Sequence, residues 1–446
     1  MEEASLVCLR RRLMVLLIIL AFQFLPLRPI ISSPTSQVTA QERRTDKFIN
    51  GQWFDGKGFR RRTYYSVNGI LTQRRPKSVD EVIDLKSGYV VPPFGDSHCH
   101  HFDGERSVAQ QIDMYLRDGV FYAKVTNNFR SGARRVAALV NKPTSVDVSY
   151  AHGGLTSNYS HPMDVYEALA LGYYTYQQWK ANAAKIWESR KAENDAYYII
   201  ENASDLDRKW PLILEGHPDF IKIFLRDSEI YQQRRSFVPT TWGRDDGGID
   251  PKLVPAVVEK AHQAHLRVTA AVNSAYDFHV AVNAGVDEIS HLPGYQDVGE
   301  NENCAITRED AALTVKRGVY LTLVTSEYEH ERTKAVIENE THNFALLKPL
   351  RAKFALGSDA FGRTPTSGAI AMSKLGMFDN LELLKIWCEN TAATILPGRK
   401  IGHLKEGYEA SFLVLKGNPL KDFEQVKAIR FRFKQGEIIG LEERKP

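Results

Sequence analysis

Eight short apolar runs between residues 89 and 359 constrain this chain more than any other feature of its 446 residues. They are YVVPPFGDSH (89–98), GVFYAKVT (119–126), VDVSYAHGG (146–154), DFIKIFL (219–225), LRVTAAVNS (266–274), VDEISH (286–291), GVYLTLVT (318–325) and KFALGSD (353–359). Helical stretches separate most of them. PAVVEKAHQAH (255–265) and AYDFHVAVNAG (275–285) carry apolar residues at three- and four-residue spacing, and Gly285 stands where a helix C-cap is expected. Strands alternating with helices build a parallel α/β architecture, and eight of them favour a closed (β/α)8 TIM-like barrel. Chemistry in such a barrel sits at the C-terminal ends of the strands. The residue that ends each run is therefore a candidate for function.

The two ends of the chain read differently. KFINGQWFDGKGF, RRTYYSVNGIL and VDEVIDLKSGYVV near the start, and ASFLVLKGNPL and VKAIRFRFKQGEIIG near the finish, are short strands broken by Gly, Asn and Asp. Residues 41–91 and 397–446 are expected to form one small composite β-sandwich domain, flanking a barrel over 92–396. Residues 1–40 belong to neither. Arg10, Arg11 and Arg12 precede the apolar run Leu13–Phe22, and VTA stands before Gln41. A membrane span needs about 20 apolar residues, so this order reads as a cleaved secretory signal and an exported, periplasmic or secreted protein. An uncleaved membrane anchor is the alternative.

That segment holds four Arg and two Glu, so its removal lowers the formal charge from +4 to +2. Neither value, nor any basic stripe with interleaved aromatics, points to nucleic acid. A small-molecule substrate is the expected partner, with a homo-oligomer possible. Cys8 lies in the signal. Cys99, Cys304 and Cys388 are too scattered for a disulfide framework. Cys99 should face away from its two neighbouring histidines on an extended segment.

The strand ends supply the chemistry. His98 and His100 are two apart, so both imidazoles share one face of a strand and can aim at one ion. Solvated loop histidines are the plainer explanation. Lys222 sits between Ile221 and Ile223, where a free ammonium is costly. It is either a lysine reaching to solvent or a desolvated amine that has become a carbamate. His291 ends the sixth run and Asp359 the eighth; a core histidine and a helix N-cap are their bland readings. Together the five residues fall in one strand-end register.

These residues carry a resemblance. VIDLKSGYVVPPFGDSHCH, DFIKIFL, AVNAGVDEISHLPG, LGSDAFG, ENTAATIL and IGHLKEGYEASFLVLKGNPL, in this order, resemble the amidohydrolase superfamily of metal-dependent hydrolases, near imidazolone-propionate hydrolases and prolidase-like enzymes. The resemblance implies a (β/α)8 barrel with a composite β domain. It implies His98 and His100 as ligands of a first divalent metal, zinc by preference, and Lys222 as a carboxylated bridging lysine. His291 would bind a second metal, and Asp359 would be both ligand and proton carrier. One position departs. The family's histidine at the end of the fifth strand is replaced by Ala271. Asn273 shares that face but is a poor zinc ligand, and His279 lies in the following helical stretch. One tight ion and a weak or absent second are therefore expected.

Substrate contacts are expected after the strands. His152 ends the third run and is a candidate donor to a substrate carbonyl. Arg226 and Tyr231 are candidates for a substrate carboxylate, and His161 is a weaker one. The implied activity is hydrolysis of a C–N bond in a small amide, cyclic amide or dipeptide-like compound. A metal-binding protein with impaired catalysis, or a lactone or phosphotriester hydrolase on the same scaffold, are the alternatives.

Overall fold

The computed structural model of the chain describes residues 44–104, 107–234, 247–295 and 303–441. The signal segment expected over 1–40 lies outside them. No helix among the described residues is long and apolar enough to cross a membrane.

The apolar runs become parallel strands. Phe94–Cys99, Val120–Val125 and Asp147–Tyr150 pair in that order. A second parallel sheet runs Tyr197–Ile199, Gly154–Thr156, Phe220–Phe224, Arg267–Ala271, Glu288–Ile289, Tyr320–Val324 and Lys353–Gly357. The two sheets touch at two places. Asp219 donates its backbone N–H to the Tyr150 carbonyl at 2.9 Å, and Asp359 donates its own to the His98 carbonyl at 2.7 Å. The sixth run contributes only two strand residues, because the chain leaves the ladder at Ser290 to reach the site.

Local chemistry sets the helices between strands. Helix Ala275–Ala284 begins at Ser274, whose hydroxyl accepts from the Asp277 N–H while the Asp277 carboxylate accepts from the Ser274 N–H. It stops at Gly285, whose φ of 91° belongs to the left-handed region that glycine occupies without penalty. Phe278, Ala281 and Val282 face the core.

Polar side chains fill the space enclosed by the strands. Lys124 and Glu288, both buried, form an ion pair. Lys124 Nζ also donates to Thr269 Oγ1 at 2.9 Å, and Thr322 Oγ1 donates to Glu288 at 3.1 Å. Ser97 Oγ stands 3.0 Å from Thr322 Oγ1 and donates to the Leu356 carbonyl at 2.8 Å. Residues of six strands thus satisfy one another below the strand ends.

The terminal strands correct one expectation. Thr45–Phe54, Phe59–Val67, Ile70–Thr72, Glu81–Asp84 and Tyr89–Val91 join Phe412–Leu415, Ile429–Lys434 and Glu437–Ile438 in one mixed sheet, not in two facing layers. The sheet curls on itself. Phe48 and Phe433 lie three strand steps apart, roughly 14 Å on a flat sheet, yet their rings are 5.2 Å apart. Curling buries Phe48, Trp53, Phe412 and Phe433 without a second layer.

A buried cation joins the last long strand to the third parallel strand. Lys434 Nζ donates to the carbonyls of Lys142 (2.7 Å) and Ser145 (2.5 Å) and to Asp147 Oδ1 (2.6 Å). Arg399 holds the other Asp147 oxygen at 2.8 Å. Replacing Lys434 by Met leaves these acceptors buried with fewer donors, so Lys434→Met is expected to cost about 3 kcal/mol in urea unfolding. A change below about 0.5 kcal/mol, within the range of ordinary surface substitutions, would contradict this account of the junction.

Candidate metal centre and active site

His98 lies on the first parallel strand and His100 one residue beyond its end. Their Nε2 atoms converge on Asp359 Oδ1, at 3.3 Å and 3.0 Å. Asp359 follows the last strand with φ at 46°, a left-handed conformation that is uncommon for a non-glycine residue. That turn aims its carboxylate back toward the first strand. The donor atoms of His98, His100 and Asp359 all lie within 4.8 Å of one another.

Buried neighbours fix this geometry. Asp96 accepts from the Ser358 N–H (2.9 Å), the Ser358 hydroxyl (2.7 Å), the Tyr115 hydroxyl (2.8 Å) and the His98 N–H (3.2 Å). Burial pushes its carboxyl up to about 6, against the pull of those donors. His98 Nδ1 faces the Ser290 carbonyl at 3.2 Å. A carbonyl only accepts, so Nδ1 carries the proton and the Nε2 lone pair turns to the site. His101, third in the motif, is taken by structure: its Nε2 accepts from the Gly362 N–H at 2.6 Å.

Lys222 is buried on the fourth of the expected strands, and its Nζ donates to Ser290 Oγ. Burial lowers its pKa to about 7, with Asp359 and Glu288 opposing. Burial likewise lowers His291 to about 3 and His98 well below the ordinary histidine range. Burial works against ionisation of Asp359, yet His98, His100 and His291 together hold it below the usual carboxylate range. His291 stacks on Tyr295 at 4.0 Å between ring centres, and its Nδ1 is buried with no hydrogen-bond partner.

His98, His100, Lys222, Arg226, His291 and Asp359 all line one cavity of about 390 Å³. Ala271 and Asn273 line it too, and Ala271 stands beside Phe224 in strand register. His279 does not reach it: it pairs with Asp310 at 2.9 Å on the flank of its helix. Two substrate candidates are misplaced. At His152 the chain has already left the strand with φ at 53°; its ring stacks on Tyr150 and its Nδ1 meets the Asn128 amide at 3.2 Å. Tyr231 is buried at the start of the short helix Tyr231–Arg234, and neither residue is part of the cavity wall. The loop histidine on that wall is His161, bonded through Nδ1 to Asp164 at 3.1 Å and edge-on to Phe224. Asn127, Tyr166, Tyr295 and Phe361 also line the wall without having been singled out in the sequence. Asn127 had a legible signal, since it directly follows the second run.

The donor set suits a divalent ion. Two imidazoles and a carboxylate converge, and the buried Lys222 amine and the His291 imidazole line the same cavity.

Residues 229–440 match the amidohydrolase family. An ochratoxinase of Aspergillus niger is 27% identical over 201 residues, 42% of this chain and 41% of that protein. The crystal structure of A. niger ochratoxinase superposes with a TM-score of 0.66 at 18% identity, covering 89% of this chain and 95% of that one. Over residues 229–440 the sequence is thus similar to the amidohydrolase family, and the chain shares its fold with solved amidohydrolase structures. A Xaa-Pro dipeptidase with bound methionine (TM-score 0.63, 16% identity, 88% and 99% covered) and a molinate hydrolase (0.65, 14%, 89% and 95%) share the fold. The matched stretch spans about two-fifths of the curated relative's length. The family match covers Ala271, His291 and Asp359, while His98, His100 and Lys222 precede it.

His152 gives a prediction of its own. Burial lowers its pKa from 6.5 to about 4. The unfolded chain then takes up the proton first, so this group's stabilisation is complete above pH 6.5 and falls as pH drops toward 4. His152→Gln should lose less stability than the unmodified chain between pH 7 and pH 4.5 in urea unfolding. Equal losses in both would contradict the assignment of His152 as a buried neutral imidazole.

Proposed function

We propose that this chain is a metal-dependent hydrolase of a C–N bond in a small amide, cyclic amide or dipeptide-like molecule. The carrying observation is the convergence of His98, His100 and Asp359 at one end of a cavity that also holds Lys222, His291 and Arg226. The fold reading beneath it makes the two parallel sheets arcs of one (β/α)8 barrel, supported by the backbone bonds that join them at Asp219–Tyr150 and Asp359–His98. Residues 1–40 are read as a secretory signal, on their basic–apolar–small order.

Each residue has a part in that reaction. His98, His100 and Asp359 would hold the ion, with Lys222 as a carbamate. A divalent ion supplies Lewis acidity, which acidifies water toward a pKa of about 7 and polarises a carbonyl. Lys222 suits carbamate formation because its amine is largely desolvated: the neutral amine adds to carbon dioxide, forming an N–C bond and releasing one proton. Asp359, beside the imidazoles of His98 and His100, takes a proton from the attacking water and delivers it to the leaving nitrogen as the C–N bond breaks. Arg226 is the cavity-lining cation suited to a substrate carboxylate. Phe224, Tyr166, Tyr295 and Phe361 offer apolar and aromatic surface to the remainder. His161, held by Asp164, replaces His152 as the candidate donor to the substrate.

Ala271 favours a second reading, a metal-binding protein of this fold with impaired catalysis. The zinc-loaded full chain should be offered a panel of N-acyl amino acids and dipeptides. The proposal expects turnover that a chelator abolishes and that Asp359→Asn lowers at least about 100-fold. Zinc bound with no turnover on any panel member would favour the second reading.

Lys222 is tested apart from turnover. With carbon-13 bicarbonate and zinc, a carbamate resonance is expected in the unmodified chain at pH 8 and absent from Lys222→Met. In metal-free protein the signal should fade as pH drops through about 7, because the protonated amine does not react. A zinc-loaded chain without the resonance would remove Lys222 from the ligand set.

A further inference from the structure

The donors in the cavity are unequally distributed. His98, His100 and Asp359 form the tight group, with donor atoms within 4.8 Å of one another. His291 stands off from it: its ring centre is 6.0 Å from that of His98, the two planes being nearly parallel at 18°. Beside it, where a further imidazole would complete a second ion's shell, Ala271 presents a methyl group. The other described histidines near that wall are engaged elsewhere. His279 is bonded to Asp310, and His161 to Asp164. The backbone N–H of Asn273 is bonded to Asp277 and its carbonyl to the Gly294 N–H, so its amide is the one further oxygen donor on that strand end. An amide oxygen is a weak zinc ligand.

We propose that this chain holds one divalent ion, on His98, His100, Asp359 and the Lys222 carbamate, and that the space beside Ala271 receives the substrate carbonyl, bonded directly by His291. The inference rests on the reading of the cavity as a hydrolytic metal centre. Four protein donors and one water would make a five-coordinate zinc, a coordination number that catalytic sites reach. A second ion would have only His291 and one carbamate oxygen. The first ion keeps a full complement. The position left by the missing side chain then becomes room for a substrate group instead of a second cation.

His291 is built for a hydrogen bond. Its Nδ1 is buried in the wall, so the nitrogen left to meet a ligand in the cavity is Nε2. Its plane is fixed by stacking on Tyr295 at 4.0 Å and 22°. A neutral imidazole has one N–H to give and one nitrogen to accept with. Held in this wall, it can donate to a carbonyl oxygen as negative charge gathers there. The assignment divides labour between the ion, which activates water, and His291, which binds the oxygen of the bond to be cleaved.

The test uses the full chain, saturated with zinc in the presence of bicarbonate and freed of excess by gel filtration, with bound zinc counted by mass spectrometry. One zinc per chain is expected. Ala271→His should raise the count toward two, and His291→Ala should leave it at one. In isothermal titration of the zinc-loaded protein with N-acetylphenylalanine, His291→Ala should weaken binding about tenfold. Should Ala271→His fail to fold, the unmodified chain and His291→Ala decide the matter alone. Two zinc ions in the unmodified chain would overturn the proposal and leave the hydrolase reading standing. So would a lower count in His291→Ala or His161→Ala, since either histidine would then be a ligand. Unchanged N-acetylphenylalanine binding in His291→Ala would overturn the role given to His291. No bound zinc at all would overturn the metal reading of the cavity, and this inference with it.

Discussion

Asp359 connects the two ends of the parallel strand series. Its backbone N–H bonds the His98 carbonyl at 2.7 Å, and its carboxylate lies between the imidazoles of His98 and His100. The same residue thus joins the last strand to the first and sets the distances among the three tightest donors. Its left-handed backbone makes both contacts possible at once. Asp96 sustains the arrangement from below by taking donors from both sides of the junction, Ser358 and His98. A carboxylate buried among four donors is costly to displace, which makes the centre rigid before any ligand arrives.

The strand-end rule made the centre of the site legible. A run of apolar residues fixes where a strand lies, and in a parallel α/β fold the residue after it faces the functional rim. His98, His100, Lys222, His291 and Asp359, taken from four different runs, line one cavity for that reason. Cys99 between two histidines was also readable, since alternation along a strand sends it to the opposite face; it is buried against the Lys124 carbonyl.

The rule failed where loops intervene. His152 and His161 follow the same apolar run, and pattern alone favoured the nearer. A left-handed backbone at His152 turns it onto Tyr150, while nine residues of further chain carry His161 to the wall. Such a turn has no hydrophobic period to betray it. The curl of the terminal sheet was equally hidden. Alternation predicts which residues are inside, but the contact between Phe48 and Phe433 depends on twist accumulated over three strand steps.

Metal-dependent hydrolysis in this cavity requires an ion where His98, His100 and Asp359 converge. Anomalous diffraction at the zinc edge, from crystals of the zinc-loaded full chain, measures this directly. The predicted map has a peak about 2.0–2.2 Å from a nitrogen of His98, a nitrogen of His100 and an oxygen of Asp359. A chain that binds zinc elsewhere, with no peak in the cavity, would contradict it.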